Sequence, residues 1–222
     1  MIEVSHVTKT YKNNLVLNDI CFSIEDGDCV GIVGYNGSGK SVLLKLLCGF
    51  TKPDQGTICV DGKLIGKDTD FLQNAGAFIN SPHFMNHMSG YENLAILAEI
   101  RKKIGKDEIL NVLKTVRLFD AKDKKVKTYS QGMLQRLRIA QAIMEQPKYL
   151  LMDEPMNALD EEGHHVMKQV FRTGKQNGTT ILFTAHNRED VYTFADYVLR
   201  IREKKVEKIK TEELAEMDNA TK

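Results

Sequence analysis

The segment GYNGSGKS, residues 34–41, joins an apolar stretch, CVGIV (29–33), to a leucine-rich stretch that begins at Lys40. Its spacing, G-x-x-x-x-G-K-S, is typical of a phosphate-binding loop between a strand and a helix. Glycines let backbone N–H groups approach phosphate oxygens, and the following helix directs its positive end at the same anion. We expect Lys40 to contact the β- and γ-phosphates and the Ser41 hydroxyl to bind Mg²⁺. The residues predicted to bind the nucleotide are Gly34, Asn36, Gly37, Ser38, Gly39, Lys40, Ser41 and Val42.

A second candidate site is the segment YLLMDEP, residues 149–155, which reads as an apolar strand ending in two carboxylates. Neighbouring side chains on a strand point to opposite faces, so Asp153 and Glu154 can do different work. Asp153 is predicted to hold Mg²⁺ through water, and Glu154 to orient or deprotonate the attacking water. The alternative is a helix cap or a solvated turn. The presence of the phosphate loop (residues 34–41) in the same chain favours the catalytic interpretation.

The order of strand-like and helical segments predicts an α/β fold. Strands that read as antiparallel open the chain, TICVDGKLI (57–65) reads as a hairpin about Asp61-Gly62, and strand–loop–helix units follow. The stretch 89–146 is almost wholly helical and opens with Ser89 and Glu92, whose S-x-x-E spacing predicts a capping box. We therefore predict one domain, 1–222, with a P-loop core (a mixed sheet with a parallel centre), an antiparallel β subdomain and an inserted helical subdomain. The core and β subdomain cover about 1–80 and 147–222, the helical subdomain about 81–146, and the polar tail 212–222 is expected to fray.

Composition and charge narrow the class of protein. A net charge of +1 gives no electrostatic footprint for nucleic acid. Apolar runs stay below the roughly 18 residues of a spanning helix, and the first residues show no secretion signal. The cysteines are far apart in sequence and form no C-x-x-C pair, which favours free thiols in a reducing, cytoplasmic compartment over a metal site or a disulfide. They are Cys21, Cys29, Cys48 and Cys59.

These motifs occur in an order that resembles the ATP-binding cassette (ABC) family across essentially the whole chain. The segment YSQGM (129–133), termed here the signature segment, stands where the family usually has LSGGQ. The segment YLLMDEP follows, then MNALD (156–160), and then a histidine after the strand-like TILFTA (180–185). A phosphate loop is common to many enzymes, whereas this ordered set is specific to the family.

The resemblance implies a role for each of these segments. Tyr11 would stack on adenine. Ser130, Gln131 and Gly132 would close over the γ-phosphate bound by the phosphate loop of a partner, so that two ATP molecules lie between two cassettes. His186 would contact the γ-phosphate and position the water, and Asp160 would let the two sites sense each other.

The sequence departs from the family pattern at a few positions. Asn80 stands where the family usually has a glutamine that contacts the metal or water, and its side chain is one methylene shorter. In the signature segment, Gln131 and Met133 replace a glycine and a glutamine, whereas Ser130 and Gly132 are retained. This serine–x–glycine–methionine version resembles cassettes that serve drug, bacteriocin-immunity and polymer exporters.

The expected function is therefore an ATP- and Mg²⁺-dependent ATPase subunit of an ABC transporter. It would dimerise with itself or with a homologous cassette, and drive a separate transmembrane permease from the cytoplasmic face of the cell membrane. An exporter is favoured over an importer. The alternative is a non-transport ABC ATPase of iron–sulfur assembly, repair or translation, whose usual extra modules are not visible in this sequence.

Overall fold

The computed structural model describes residues 1–80, 83–185 and 187–219, except for the side chains of residues 215 and 217–219. Within these ranges the chain forms two β-sheets and seven α-helices. The strands are β1 (Ile2–Tyr11), β2 (Asn14–Ile24), β3 (Cys29–Val33), β4 (Gln55–Val60), β5 (Lys63–Leu64), β6 (Ala75–Phe78), β7 (Tyr149–Met152), β8 (Thr180–Thr184), β9 (Tyr197–Arg202) and β10 (Lys205–Lys210). The helices are α1 (Lys40–Cys48), α2 (Gly90–Arg101), α3 (Lys106–Thr115), α4 (Gln131–Ile143), α5 (Glu161–Gln176), α6 (Arg188–Phe194) and α7 (Thr211–Asn219).

The larger sheet has the strand order β10-β9-β3-β8-β7-β6, with β10 antiparallel to β9 and the other neighbours parallel. Every residue of β3, β7 and β8 is buried, as expected of strands covered on both faces. This confirms the predicted mixed sheet with a parallel centre. Its carboxyl edge gathers the residues that follow these strands, among them the phosphate loop and Asp153-Glu154.

The smaller sheet has the order β2-β1-β4-β5 and is antiparallel throughout. The predicted hairpin at Asp61-Gly62 is confirmed, because Val60 pairs with Lys63. Helix α1 fills the space between the two sheets: its leucines belong to one buried cluster with Ile2, Val7 and Ile20 of the smaller sheet and Leu182 of the larger one. The all-round apolar character of α1 follows from this position between two sheets.

Helices α2, α3 and α4 lie in sequence between β6 and β7. The predicted capping box is present at the start of α2: Glu92 N–H donates to the Ser89 hydroxyl, and Ser89 N–H donates to the Glu92 carboxylate. Helix α4 packs closely against β6, because a Cβ built on Gly76 would lie only 1.8 Å from the carbonyl oxygen of Ala142.

The expectation that the polar tail frays is wrong for residues 212–219. They belong to α7, which packs against α6, β9 and β10. Leu214 is only 1% exposed and anchors the helix. A single buried leucine among charged residues was too weak a pattern to predict this packing. Among the described residues, no helix combines the length and the apolarity that crossing a lipid bilayer requires.

The contact between Gly76 and α4 predicts that Gly76→Ala lowers the free energy of unfolding by about 3 kcal/mol, because a backbone carbonyl cannot swing aside as a side chain can. Urea denaturation measures this change. Gly105→Ala is the matched control: its Cβ would meet only Glu108 Oε2, at 3.5 Å, so it should cost no more than about 1 kcal/mol. Equal stability of the two variants would contradict the close packing of α4 on β6.

Candidate active site

The phosphate loop connects the end of β3 to the start of α1. Gly37 and Gly39 have φ angles of 82° and 107°, a region that side chains strongly disfavour. A Cβ on Gly34 would lie 2.5 Å from Ser38 Oγ, so the loop is tightly folded. The N-cap of α1 is Gly39, which has no side chain to cap the helix, and the first N–H groups of α1 therefore point at a site suited to an anion. Of the other predicted residues, Asn36 lies in the exposed part of the loop, and Ser41 and Val42 lie in the first turn of α1.

Lys40 is the first residue of α1 and is only 7% exposed. Its ammonium donates to the carbonyl oxygens of Gly34 and Tyr35, at 2.8 and 3.3 Å. Burial lowers the pKa of Lys40, while the negative charges of Glu154 and Asp153 act in the opposite direction. Lys40, Asp153 and Glu154, which were predicted from two separate motifs, are thus close enough to interact electrostatically. A phosphate beside the ammonium would stabilise its charged form.

Ser38 provides a second indication that the loop is built for a polar ligand. Its Oγ is buried and has no hydrogen-bond partner among the described residues. An unpaired buried hydroxyl is costly, and phosphate oxygens would supply the missing partner.

The two predicted carboxylates follow β7 and are held by Thr184, the last residue of β8. The Thr184 hydroxyl donates to Asp153 Oδ1 and accepts from the N–H of Glu154, both at 2.8 Å. Thr184 is completely buried. Thr184 was not predicted from the sequence, because a threonine that ends an apolar strand carries no motif of its own.

Glu154 has a left-handed backbone, with a φ of 54°. Such a conformation costs about 1–3 kcal/mol in a residue other than glycine and persists only where the surroundings enforce it. Here the enforcing contacts come from Thr184 and from Gln135 of α4, whose amide donates to the carbonyl oxygens of Glu154 and Pro155 at 3.2 and 3.1 Å. The Asn157 amide also donates to the Glu154 carboxylate. Neither Gln135 nor Asn157 was singled out in the sequence.

Asn80 lies two residues beyond β6 and is exposed, with a φ of 57°. Strand β6 pairs in parallel with β7, and the N–H of Asp153 donates to the carbonyl oxygen of Phe78 at 3.0 Å. Asn80 and Asp153 therefore leave the same edge of the sheet. With the hydroxyl of Ser41 they offer an amide, a carboxylate and a hydroxyl oxygen, which are the hard ligands that Mg²⁺ prefers.

Tyr11 ends β1 opposite Asn14 and is 41% exposed. Its hydroxyl donates to Thr51 Oγ1 at 3.2 Å. The next residues of the same strand pair approach the phosphate loop, because a Cβ on Gly39 would lie 2.9 Å from Val16 Cγ1. The aromatic ring is therefore on the hairpin that borders the loop, with area available for stacking on a planar base.

The signature segment leads into α4. The Ser130 hydroxyl caps this helix by accepting from Met133 N–H at 3.2 Å, and Gln131 and Gly132 form its first turn. A Cβ on Gly132 would lie 3.3 Å from the carbonyl oxygen of Ala158 and 3.8 Å from Asp160 Oδ2. The structure thus brings the signature segment and Asp160 together in one chain.

Asp160 caps α5 by accepting from Gly163 N–H at 2.8 Å. Arg136 of α4 joins the two helix ends: its guanidinium donates to Glu162 at 2.8 Å and lies 3.8 Å from Asp160. Arg136 is only 6% exposed, so packing fixes its guanidinium in place, whereas the side chains of Glu162 and Asp160 are more than half exposed and their charges are screened by solvent. Arg136 was not predicted from the sequence, because its partners are about 25 residues away in the chain.

His186 lies outside the described residues, so its predicted role stays a prediction. Its sequence neighbours Ala185 and Asn187 line a cavity of about 240 Å³. Glu154, Thr184 and Asp190 also line this cavity. This volume holds several water molecules, each of which takes up about 30 Å³ in the liquid. Water can therefore reach Glu154 from this cavity.

The chain is similar to known proteins in both sequence and fold. The family model described as ABC transporter matches residues 17–157. An uncharacterized ABC transporter ATP-binding protein of Bacillus subtilis (strain 168), YybJ, is 38% identical over 207 residues, which are 93% of this chain and 95% of that protein. The lantibiotic transport ATP-binding protein SrtF of Streptococcus pyogenes is 30% identical and is matched over 93% of this chain and 89% of its own length. A dimeric ATP-binding cassette in a post-hydrolysis state, bound to ADP and phosphate, has a similar fold, with a TM-score of 0.85, 23% identity, and coverage of 95% of this chain and 99% of that one.

We expect Lys40→Ala to weaken ATP binding about a hundredfold, because the phosphates lose their charge-assisted partner. Equilibrium dialysis or fluorescence titration with ATP measures this loss. Lys45→Ala, in the last turn of the same helix, is the control and should bind ATP normally. Retained affinity in Lys40→Ala would remove Lys40 from the nucleotide site.

Thr184→Val keeps the shape of the side chain but removes the hydroxyl that Asp153 and Glu154 share. We expect the ATPase rate to fall about 10–100-fold, because the acidic pair loses its orientation. Thr180→Val is the matched control: Thr180 is also fully buried on β8, but its hydroxyl accepts from Gly27 N–H at the other end of the strand. Both variants should lose about 1–3 kcal/mol of stability. If both reduced the ATPase rate of the folded protein equally, Thr184 would have no specific role.

Proposed function

Since this chain belongs to the ABC transporter ATP-binding family, we propose that it is the ATP-hydrolysing subunit of an exporter and works as a dimer that drives a separate transmembrane permease. The observation that carries the proposal is the convergence of the phosphate loop, the partly desolvated Lys40 and the acidic pair at one edge of the parallel sheet. The ATPase activity belongs to the family. The direction of transport, the dimer and the permease are the parts that we propose.

In the proposed reaction, the loop N–H groups and Lys40 hold the β- and γ-phosphates, and Tyr11 stacks on adenine. Ser41, Asp153 and Asn80 would hold Mg²⁺, which supplies positive charge to the phosphate oxygens when it is bound. Water attacks the γ-phosphorus, the bond to the bridging oxygen breaks, and ADP and phosphate form. Glu154 orients this water and accepts its proton, and His186 contacts the γ-phosphate.

We infer the dimer from the helix N-terminus that the signature segment forms. Ser130, Gln131 and Gly132 form a helix N-terminus in which Gly132 leaves the backbone uncovered, and this is suited to an anion. We propose that it contacts the γ-phosphate bound by a second copy or by a homologous cassette. Asp160, which the structure holds beside Gly132, would then lie at the interface and connect the two sites.

The permease surface that we propose lies on and before α2. Ile96 and Ile100, one turn apart, are 38% and 74% exposed, and Met85 is 47% exposed. Met85 is held beside α2, because its backbone N–H and carbonyl oxygen both hydrogen-bond to the Asn93 side chain. Neighbouring exposed apolar side chains are typical of protein interfaces. We propose that residues of about 81–146 act as a helical subdomain that transmits closure of the core (about 1–80 and 147–222) to a permease at the inner face of the membrane. Since SrtF is named for lantibiotic transport, a peptide antibiotic is the cargo class that we favour.

We expect Glu154→Gln to bind ATP but to hydrolyse it at least about a hundredfold more slowly, because the amide cannot accept the proton. With ATP and Mg²⁺ this variant should persist as a dimer, which light scattering detects as a doubling of mass. Glu161→Gln, the same substitution in the first turn of α5, is the control and should turn over normally without trapping a dimer. Normal hydrolysis by Glu154→Gln would exclude Glu154 as the catalytic carboxylate, and a strictly monomeric ATP complex would argue against the proposed dimer.

A further inference from the structure

The solvent-facing side of the β1–β2 pair carries three side chains of the kinds that bind transition metals. One ligand atom each from His6, Asp19 and Cys21 lies within 4.8 Å of the others. His6 Nδ1 is 2.8 Å from Asp19 Oδ1, and the backbone N–H of His6 donates to Cys21 Sγ at 3.1 Å. All three residues are exposed, so an ion from solution can reach them. The cluster lies on the smaller sheet and includes none of the residues assigned to the active site.

Two β-bulges, one on each strand, produce this arrangement. From Val4 to Val7, β1 advances by three residues while its partner advances by two, from Phe22 to Ile20. In the next interval the extra residue is on β2, because Lys9 pairs with Leu17. Bulges redirect side chains and often occur beside functional sites.

The bulged residues His6 and Asp19 have φ angles of 51° and 48°. Both residue types tolerate the left-handed region better than most, yet the conformation still costs free energy. It turns both side chains toward each other on the face that also holds Cys21. The distance of His6 from the other two in sequence explains why the spacing of the cysteines gave no sign of the cluster.

We propose that His6, Asp19 and Cys21 form a Zn²⁺ site. A thiolate, an imidazole and a carboxylate are the established ligands of this ion, at about 2.0–2.3 Å, and three protein ligands with one water complete a tetrahedron. Ligand atoms of a tetrahedral Zn²⁺ site lie roughly 3.3–3.8 Å apart. A separation at the 4.8 Å limit of this cluster would therefore close by about 1 Å, and His6 Nδ1 and Asp19 Oδ1, now 2.8 Å apart, would move apart by about 0.5 Å as the ion replaces their hydrogen bond. This site is distinct from the nucleotide site and goes beyond the proposed ATPase function.

Lys205 of β10 is the charged neighbour that opposes a cation there. Its ammonium is 3.7 Å from Asp19 Oδ2, whereas His6 approaches Oδ1. The carboxylate thus keeps one oxygen toward the histidine and the thiol. Removing the charge of Lys205 should therefore strengthen metal binding, whereas removing any of the three ligands should weaken it.

The test is a titration of the full chain with Co²⁺ as a spectroscopic substitute for Zn²⁺, followed by displacement with Zn²⁺. A thiolate-to-cobalt charge-transfer band reports on a cysteine ligand and is blind to Co²⁺ bound by Asp153 or by nucleotide. We expect this band in the wild-type chain, with a dissociation constant for Zn²⁺ in the micromolar range or below. At a hundredfold excess over that constant, Zn²⁺ should raise Tm by about 5–10 °C.

The variants distinguish a specific Zn²⁺ site from nonspecific binding of ions at the surface. Cys21→Ser should abolish the charge-transfer band, and His6→Asn, which keeps a residue tolerant of the left-handed backbone, should weaken Zn²⁺ binding at least tenfold. Lys205→Gln should tighten it about three- to tenfold. Cys59→Ser, a partly exposed cysteine on β4 outside the cluster, is the control and should behave as wild type. Absence of the band, or Zn²⁺ binding that is unchanged in Cys21→Ser and His6→Asn, would mean an adventitious ion only and would overturn the proposal.

Discussion

The Lys40 ammonium is held against the carbonyl oxygens of Gly34 and Tyr35 at the carboxyl edge of a buried parallel sheet, and no carboxylate in the described part of the chain forms an ion pair with it. This partly desolvated charge is the constraint on which the rest of the site depends. It requires a glycine-rich loop that can fold closely around it, and buried strands that fix where the loop begins. It also requires the two carboxylates after β7 to stay near enough to stabilise the charge, but not to neutralise it by direct pairing.

The features that the sequence predicted are those encoded by neighbouring residues. The phosphate loop, the acidic pair, the hairpin at Asp61-Gly62 and the capping box at Ser89 each depend on a short pattern with its own physical reason. Thr184, Gln135 and Arg136 were missed because their importance depends on partners brought close by folding. The same holds for His6, whose approach to Cys21 arises from two bulges that no periodicity reveals. The helical tail at Leu214 was missed because one anchoring side chain is sufficient in the folded protein.

Helix α4 is the element that ties these parts together. Its first turn carries the signature residues, Gln135 one turn later holds the backbone of Glu154, and Arg136 reaches the end of α5 at Asp160. Its far end lies against Gly76 of β6. Packed atoms and hydrogen bonds thus connect the start of this helix to the backbone of Glu154. This is a physical route by which the proposed contact between two cassettes can influence the proposed hydrolysis at Glu154.

The left-handed backbone at Glu154 has a consequence for how such a protein can evolve. Glycine or asparagine at this position would relieve the torsional cost. The substitutions that would stabilise the fold here are therefore ones that remove the carboxylate. With the catalytic role that we propose for Glu154, selection for ATP turnover keeps the strained glutamate in place. A duplicated copy of this gene, once freed from that selection, would have an easy first step toward a cassette that binds nucleotide without consuming it.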